Sequence, residues 1–112
     1  MIIEFVQDDF FDMRIRIKSK GKKAGLPEGC ALQFNSSVRT KSGKEKISVT
    51  SNEIDVDGKV FLQKDLSEID ISPGNYRFEI NLILENGKKK TIIPKTRGKM
   101  IVLPKEGAED ED

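Results

Sequence analysis

The sequence predicts an all-β protein, a sandwich of two antiparallel sheets made of about seven to nine short strands with at most one helical turn. Three observations support this prediction. Apolar and polar residues alternate with a period of two, most regularly in residues 73–87, and this period places alternate side chains on opposite faces of a strand. Turn residues separate the alternating segments at intervals of about 8–12 residues. No segment shows the period of a long amphipathic helix.

The first three strands follow from apolar runs and strict alternation. Residues 2–6 are a short apolar segment, and residues 11–18 alternate in a way that leaves one face of a second strand dry. Residues 19–29 hold three Gly, one Pro and four charged side chains, so we expect a loop, which Leu26 and Pro27 pin to the body of the protein. Residues 30–40 alternate again and form the expected third strand.

Turn residues organise the middle of the chain. Residues 41–44 turn it back into a modest strand around residues 47–49. The Asp-Gly pair at 57–58 predicts a tight hairpin, because both residues tolerate positive φ, and the returning strand holds the apolar residues of 60–62. Residues 65–69 are the one plausible helical piece, a single turn with its aspartate as N-cap.

The last third of the chain holds the most regular strand and the least regular one. Residues 73–87 predict a central strand between a Pro-Gly turn and an Asn-Gly hairpin turn. A final strand pair follows at residues 91–93 and 100–103. Pro94 and Gly98 interrupt this pair, so we expect an edge strand with a bulge or a break.

Tyr76 indicates which type of β-sandwich the chain forms. It follows a Pro-Gly turn at the start of a late central strand, where an immunoglobulin-like fold has its tyrosine corner. The alternative is a half-buried tyrosine whose hydroxyl faces water. The sequence therefore predicts an antiparallel immunoglobulin-like β-sandwich over residues 1–105.

Charge is distributed unevenly along the 112 residues. The net charge is +1, but residues 106–112 hold five acids and no base, which leaves the remainder with 20 − 14 = +6. We expect this acidic tail to be disordered because it has almost nothing apolar to bury. The single Cys30 excludes an internal disulfide and fits a protein made in a reducing cytoplasm. We expect neither a signal peptide nor a membrane-spanning segment.

The residues needed for common enzyme chemistry are scarce, so we expect no enzyme, no cofactor and no metal. The chain has no His and one Cys, which removes the usual general base and the usual zinc ligands. Asp8 and Asp9 point to opposite faces if the segment is extended, and a turn explains them better. Residues 55–58 resemble the opening of a calcium loop but continue as a hairpin. Residues 21–25 lack the spacing of a phosphate-binding loop.

The lysine-rich segments leave two interpretations open. Basic residues gather at 18–23 and at 88–99, either as solvated charge that also discourages edge-to-edge aggregation or as a site for an anionic partner. No aromatic residues alternate with the lysines, although nucleic-acid-binding sheets use exposed rings for stacking. We therefore expect that nucleic acid is not the partner.

The order of turns and strands resembles the small immunoglobulin-like structural proteins of tailed bacteriophages, among them the N-terminal domain of the baseplate upper protein. The resemblance covers nearly all of residues 2–103 and is carried by turn and strand signals: residues 4–9, 32–34, 38–43, 57–62, 66–67, 73–80, 86–87, 91–93 and 98–102. The opening at residues 7–9 and the basic segment at residues 95–97 depart from the family pattern.

The resemblance implies a virion component of the tail, baseplate or head-tail region, made in the bacterial cytoplasm and acting through contacts with other phage structural proteins. We also expect homo-oligomers. The alternatives are a capsid decoration protein of the same fold and a small phage-encoded regulator that binds a host protein or nucleic acid. The expected contact regions are the first strand, residues 19–29 and the broken last strand. The candidate contact residues are Phe10, Lys22, Lys23, Leu26, Lys95 and Arg97. Phe10 either meets a partner or covers an open end of the core.

Overall fold

The protein is an all-β chain with ten strands in a computed structural model that describes residues 1–7, 10–19, 22–23, 25–67 and 69–104. No helix occurs among these residues. The strands are β1 (Ile2–Val6), β2 (Phe10–Ile15), β3 (Lys18–Ser19), β4 (Lys22–Lys23), β5 (Ala31–Thr40), β6 (Gly43–Ser51), β7 (Val60–Asp65), β8 (Gly74–Ile83), β9 (Lys89–Ile93) and β10 (Lys99–Leu103).

The larger sheet has the order β1-β10-β8-β5-β6, and β9 also pairs with β8. Its pairs are antiparallel except that of β1 with β10, which is parallel, with Ile3 opposite Met100 and Phe5 opposite Val102. The sandwich predicted as antiparallel therefore contains one parallel pair. A hairpin would force antiparallel pairing, but β1 continues into β2 of the other sheet and meets β10 only through the tertiary fold.

The smaller sheet pairs β2 with β7 in antiparallel register, and its apolar side chains pack against those of the larger sheet. A row of phenylalanine rings links the two layers. Phe11 of β2 lies 4.8 Å from Phe34 of β5, and Phe34 stacks on Phe78 of β8 at 5.2 Å, both between ring centroids. Phe5 of β1 contacts Phe11 edge-on at 6.0 Å. One apolar core therefore holds strands from both sheets together.

Two segments differ from the sequence predictions, because their conformation is determined by local hydrogen bonds that residue composition does not indicate. Lys18–Ser19 pairs with Lys22–Lys23, so the expected loop over 19–29 contains a two-residue ladder and the strand number rises to ten. The expected helical turn is a hydrogen-bonded turn instead. The Asp65 carboxylate accepts the Ser67 N–H at 2.9 Å, and the Ile69 N–H donates to the Leu66 carbonyl at 3.1 Å.

The last strand is broken as predicted, but only part of it is an edge. β9 and β10 follow one another along the same side of β8, separated by the turn at residues 94–98. β10 lies inside the sheet, between β8 and β1, so the prediction of an edge was wrong for this half. Pro94 and Gly98 are accommodated without an edge position, because both lie in the break between β9 and β10. The chain bulges there and then resumes its pairing with β8.

Tyr76 is buried, with 6% of its surface exposed, and its hydroxyl donates a hydrogen bond to the carbonyl of Ser72. The guanidinium of Arg39 lies 5.0 Å from the centre of the ring. The structure therefore favours the tyrosine-corner interpretation over a hydroxyl in water, and this bond fixes the chain where it enters β8.

Candidate protein contact surface

β1 forms one end of the larger sheet, and the described part of the chain pairs it with β10 alone. The Met1 carbonyl accepts the Lys99 N–H at 3.0 Å, and the Gln7 N–H donates to the Leu103 carbonyl at 2.9 Å. Since alternate residues of a parallel strand bond to the same neighbour, the odd-numbered residues of β1 face β10. The backbone groups of Ile2, Glu4 and Val6 therefore point away from the sheet.

A groove of about 610 Å³ runs beside β1, between it and β2 of the smaller sheet. Ile3, Phe5 and Phe11 are among the apolar side chains that line it, and Glu4 and Asp12 bring negative charge to it. Next to this groove, Met1 and Ile2 are 50% and 64% exposed. An extended segment lying here could bond to the outward backbone groups of β1 while placing alternate side chains in the groove.

The opposite end of the sheet, β6, carries the protection against strand addition that β1 lacks. Lys44, Glu45 and Lys46 follow one another there, and all three are exposed. Charges at an edge strand disfavour the addition of a foreign strand, because pairing would desolvate them. β1 has the single charge of Glu4 among five residues. It is therefore the edge better suited to strand addition.

The β2 side of the groove is held by a cluster of charged groups. Arg14 Nη1 lies 3.0 Å from Asp55 Oδ2, and its Nε lies 3.3 Å from Asp12 Oδ1. The hydrogen bonds that the guanidinium donates to these carboxylates, that to Asp12 first, raise the pKa of Arg14. The Lys59 backbone N–H, with smaller contributions from Arg14 and the Asp57 N–H, lowers the pKa of Asp55. The network ties β2 to the hairpin at residues 55–59.

The same network accounts for the segment that resembles a calcium loop. The Asp55 carboxylate accepts the backbone N–H groups of Asp57 and Lys59, both at 2.9 Å, as well as the Arg14 guanidinium. Gly58 takes a φ of +79°, as the predicted hairpin requires. In the described ranges of the chain, no three His, Cys, Asp or Glu side chains gather in a way that could hold a metal ion.

The six candidate contact residues fall into two groups, three whose side chains are not described and three whose side chains are. Phe10 opens β2 opposite Asp65, and Lys22 and Lys23 form β4, but the side chains of these three lie outside the described part. The same holds for Asp8 and Asp9 as whole residues.

The other three candidates have described side chains. Leu26 is half-buried and packs against the core, as the sequence predicted for the loop that it pins. Lys95 Nζ lies 3.7 Å from Glu79 Oε1. Arg97 is exposed, and its carbonyl accepts the amino terminus of Met1 at 2.8 Å, which places the broken strand beside the start of β1. Contact roles for these residues stay predictions.

The sequence predicts the first strand as a contact region but does not indicate the groove residues beside it. The low charge of residues 2–6 compared with the edge strand β6 points to this side of the sheet. The groove itself depends on how β1 and β2 are placed by the strand order. Cys30 is buried, as its position on an apolar face predicted.

In the described residues, no helix has the length and apolar character needed to span a bilayer. No protein-family model and no curated protein sequence matches this chain.

Proposed function

We propose that this chain is a non-enzymatic structural protein with an immunoglobulin-like sandwich fold that works through protein–protein contacts. Two features support the fold. Two sheets share one apolar core, and the Tyr76 hydroxyl bonds back to the Ser72 carbonyl at the entry to β8. The observation that supports the contact role is the weakly charged outer side of β1, which no strand of the described residues pairs, beside a groove lined by apolar and charged side chains.

The occupant of this surface is an extended segment of a neighbouring subunit, either another copy of this chain or another virion protein. Such a segment adds a strand to the larger sheet and buries the exposed apolar side chains of Met1 and Ile2. Such a contact needs no catalytic group.

The resemblance to small phage proteins supports a place in the virion, in the tail, baseplate or head-tail region, after synthesis in the host cytoplasm. Quantitative mass spectrometry of purified particles tests this. A fixed copy number per particle is expected, and its absence from particles while free protein accumulates in the cell would contradict the proposal. Location on the capsid surface would instead identify a decoration protein.

Blocking the free side of β1 is expected to weaken assembly. Glu4→Pro removes an N–H that faces away from β10, and Pro is tolerated at such edge positions. We expect association to weaken about tenfold or more, because one hydrogen bond is lost and the ring obstructs the incoming strand. Light scattering of the wild-type and variant proteins measures this.

Glu4→Thr is the matched control, since it removes the same charge but keeps the N–H. Assembly that survives Glu4→Thr and fails in Glu4→Pro supports strand addition. Wild-type assembly of both variants would exclude β1 as the contact, and equal failure of both would contradict strand addition by assigning the effect to the Glu4 side chain. A wild-type protein that stays monomeric at high concentration and does not associate with virions would contradict the proposed function itself.

A regulator that binds nucleic acid is the second candidate, and the basic residues on the outer side of the larger sheet favour it. A monomer that shifts DNA in a gel at low salt, with a steep loss of binding as salt rises, would support it against the structural role.

A further inference from the structure

The outer side of the larger sheet carries a concentration of positive charge. Arg77 lies on β8 between two buried residues, so its side chain points away from the core. Lys46 of β6 precedes the buried Ile47 and pairs with the exposed Ser37, so its side chain also points away from the core. We call Lys46, Arg77, Lys89 and Lys95 the basic face.

A shallow depression of about 90 Å³ brings three of these cations together. Lys46, Lys89 and Lys95 line it, together with the carboxylate of Glu79. That carboxylate already accepts the Asn81 amide at 2.6 Å through Oε2, while Oε1 lies 3.7 Å from Lys95 Nζ. Three lysines share one acid, so the depression keeps a local charge of 3 − 1 = +2 that the described side chains do not neutralise.

We propose that the acidic segment, residues 106–112, covers the basic face of its own chain. Its five acids and lack of bases make it the chain's most acidic stretch, opposite in sign to the basic face. The length also suffices. Residues 105–112 can span about 26–29 Å when extended. Gly74, the partner of Val102, lies five residues from Glu79, about 17 Å along β8 at ordinary strand spacing. Since β10 ends on the Gly74 side, the segment folds back along the sheet to reach the depression.

The groove beside β1 also lies near the end of β10, and its chemistry does not fit this segment. It is lined by apolar side chains such as Ile3 and Phe5 and receives negative charge from Glu4 and Asp12. Carboxylates entering it would lose hydration and would meet two cations that already have partners: Arg14, which two carboxylates hold, and the amino terminus of Met1, which donates to the Arg97 carbonyl. The basic face therefore matches the acidic segment better than this groove does.

The contact works as an internal competitor for anions and is independent of the proposed contact through β1. A segment bound about nine tenths of the time lowers the apparent affinity of the basic face for a polyanion about tenfold. Because this contact is electrostatic and exposed, it weakens as salt approaches about 1 M, where the screening length is about 3 Å.

The test compares the full chain with a version ending at Lys105, using heparin as the polyanion. Truncation is expected to leave the melting temperature nearly unchanged, to raise heparin affinity about tenfold at low salt, and to shift the backbone amide resonances of the basic face. A synthetic peptide of residues 105–112 added to the truncated protein should reverse these amide shifts.

Two double variants separate a local contact from a general effect of net charge. Lys46→Gln with Lys95→Gln removes two charges from the basic face, and Lys59→Gln with Lys64→Gln removes two from the β7 side. Only the first pair is expected to abolish the affinity gain on truncation. Equal effects of both pairs, or amide shifts that avoid the basic face, would overturn the proposal.

Discussion

Phe34→Ala is expected to lower the free energy of unfolding by about 3–5 kcal/mol. Phe34 is 1% exposed and stands in the middle of the row of rings, in contact with Phe11 of the smaller sheet and with Phe78 of β8. Truncation leaves a cavity between the two layers, which the strands around it cannot close without breaking their registers. Urea denaturation followed by fluorescence or circular dichroism measures the change.

Phe61→Ala is the matched control for this substitution. Phe61 lies half-buried on β7, and its ring faces the Arg14 guanidinium at 5.4 Å rather than the row of rings. We expect a loss of about 1 kcal/mol, because part of the ring is already in contact with water and less apolar area is lost from the interior. If the two variants were equally destabilised, the row of rings would not be the link between the layers.

Gly98→Ala is expected to cost about 2–4 kcal/mol, which is large for the addition of one methyl group. A Cβ at Gly98 would lie 2.1 Å from the carbonyl oxygen of Phe78. The clash is with backbone, so no side-chain rotation relieves it, and the hydrogen bond from the Phe78 N–H to the Gly98 carbonyl at 3.1 Å must lengthen or break. Thermal and urea unfolding of the variant measure the loss.

Gly87→Ala separates this steric cost from the general cost of replacing a glycine. Gly87 has a φ of +86° in the hairpin turn, and a Cβ there meets nothing within 4 Å. We expect about 1 kcal/mol from the left-handed conformation alone. A Gly98→Ala protein as stable as the Gly87→Ala protein would mean that the turn at residues 94–98 can move away from β8 without harm.

The parts of the fold that could be predicted from the sequence are those that local residues determine. β8 begins and ends close to the turns that bound residues 73–87, and its alternating side chains lie on the faces that the pattern indicated. The hairpins at residues 57–58 and 86–87 form where Asp-Gly and Asn-Gly pairs allow positive φ. Cys30 is buried for the same reason, because alternation assigns it to the apolar face.

Long-range pairing could not be predicted in the same way. Nothing in residues 2–6 specifies a parallel partner strand that begins at Lys99, near the other end of the sequence. Pro94 and Gly98 suggested an edge, yet β10 lies inside the sheet because β1 pairs with its outer side. The groove beside β1 depends on both facts, so the candidate surface became visible only once the strand order was known.

Residue-resolved hydrogen exchange in β1 tests most directly whether this protein assembles through that strand. In the isolated subunit, the amides of Ile3 and Phe5 should be protected by β10, and those of Glu4 and Val6 should exchange rapidly. On assembly into oligomers or particles, Glu4 and Val6 should become protected. Rapid exchange at Ile3 and Phe5 would contradict the parallel pairing, and assembly without new protection at Glu4 and Val6 would contradict the contact.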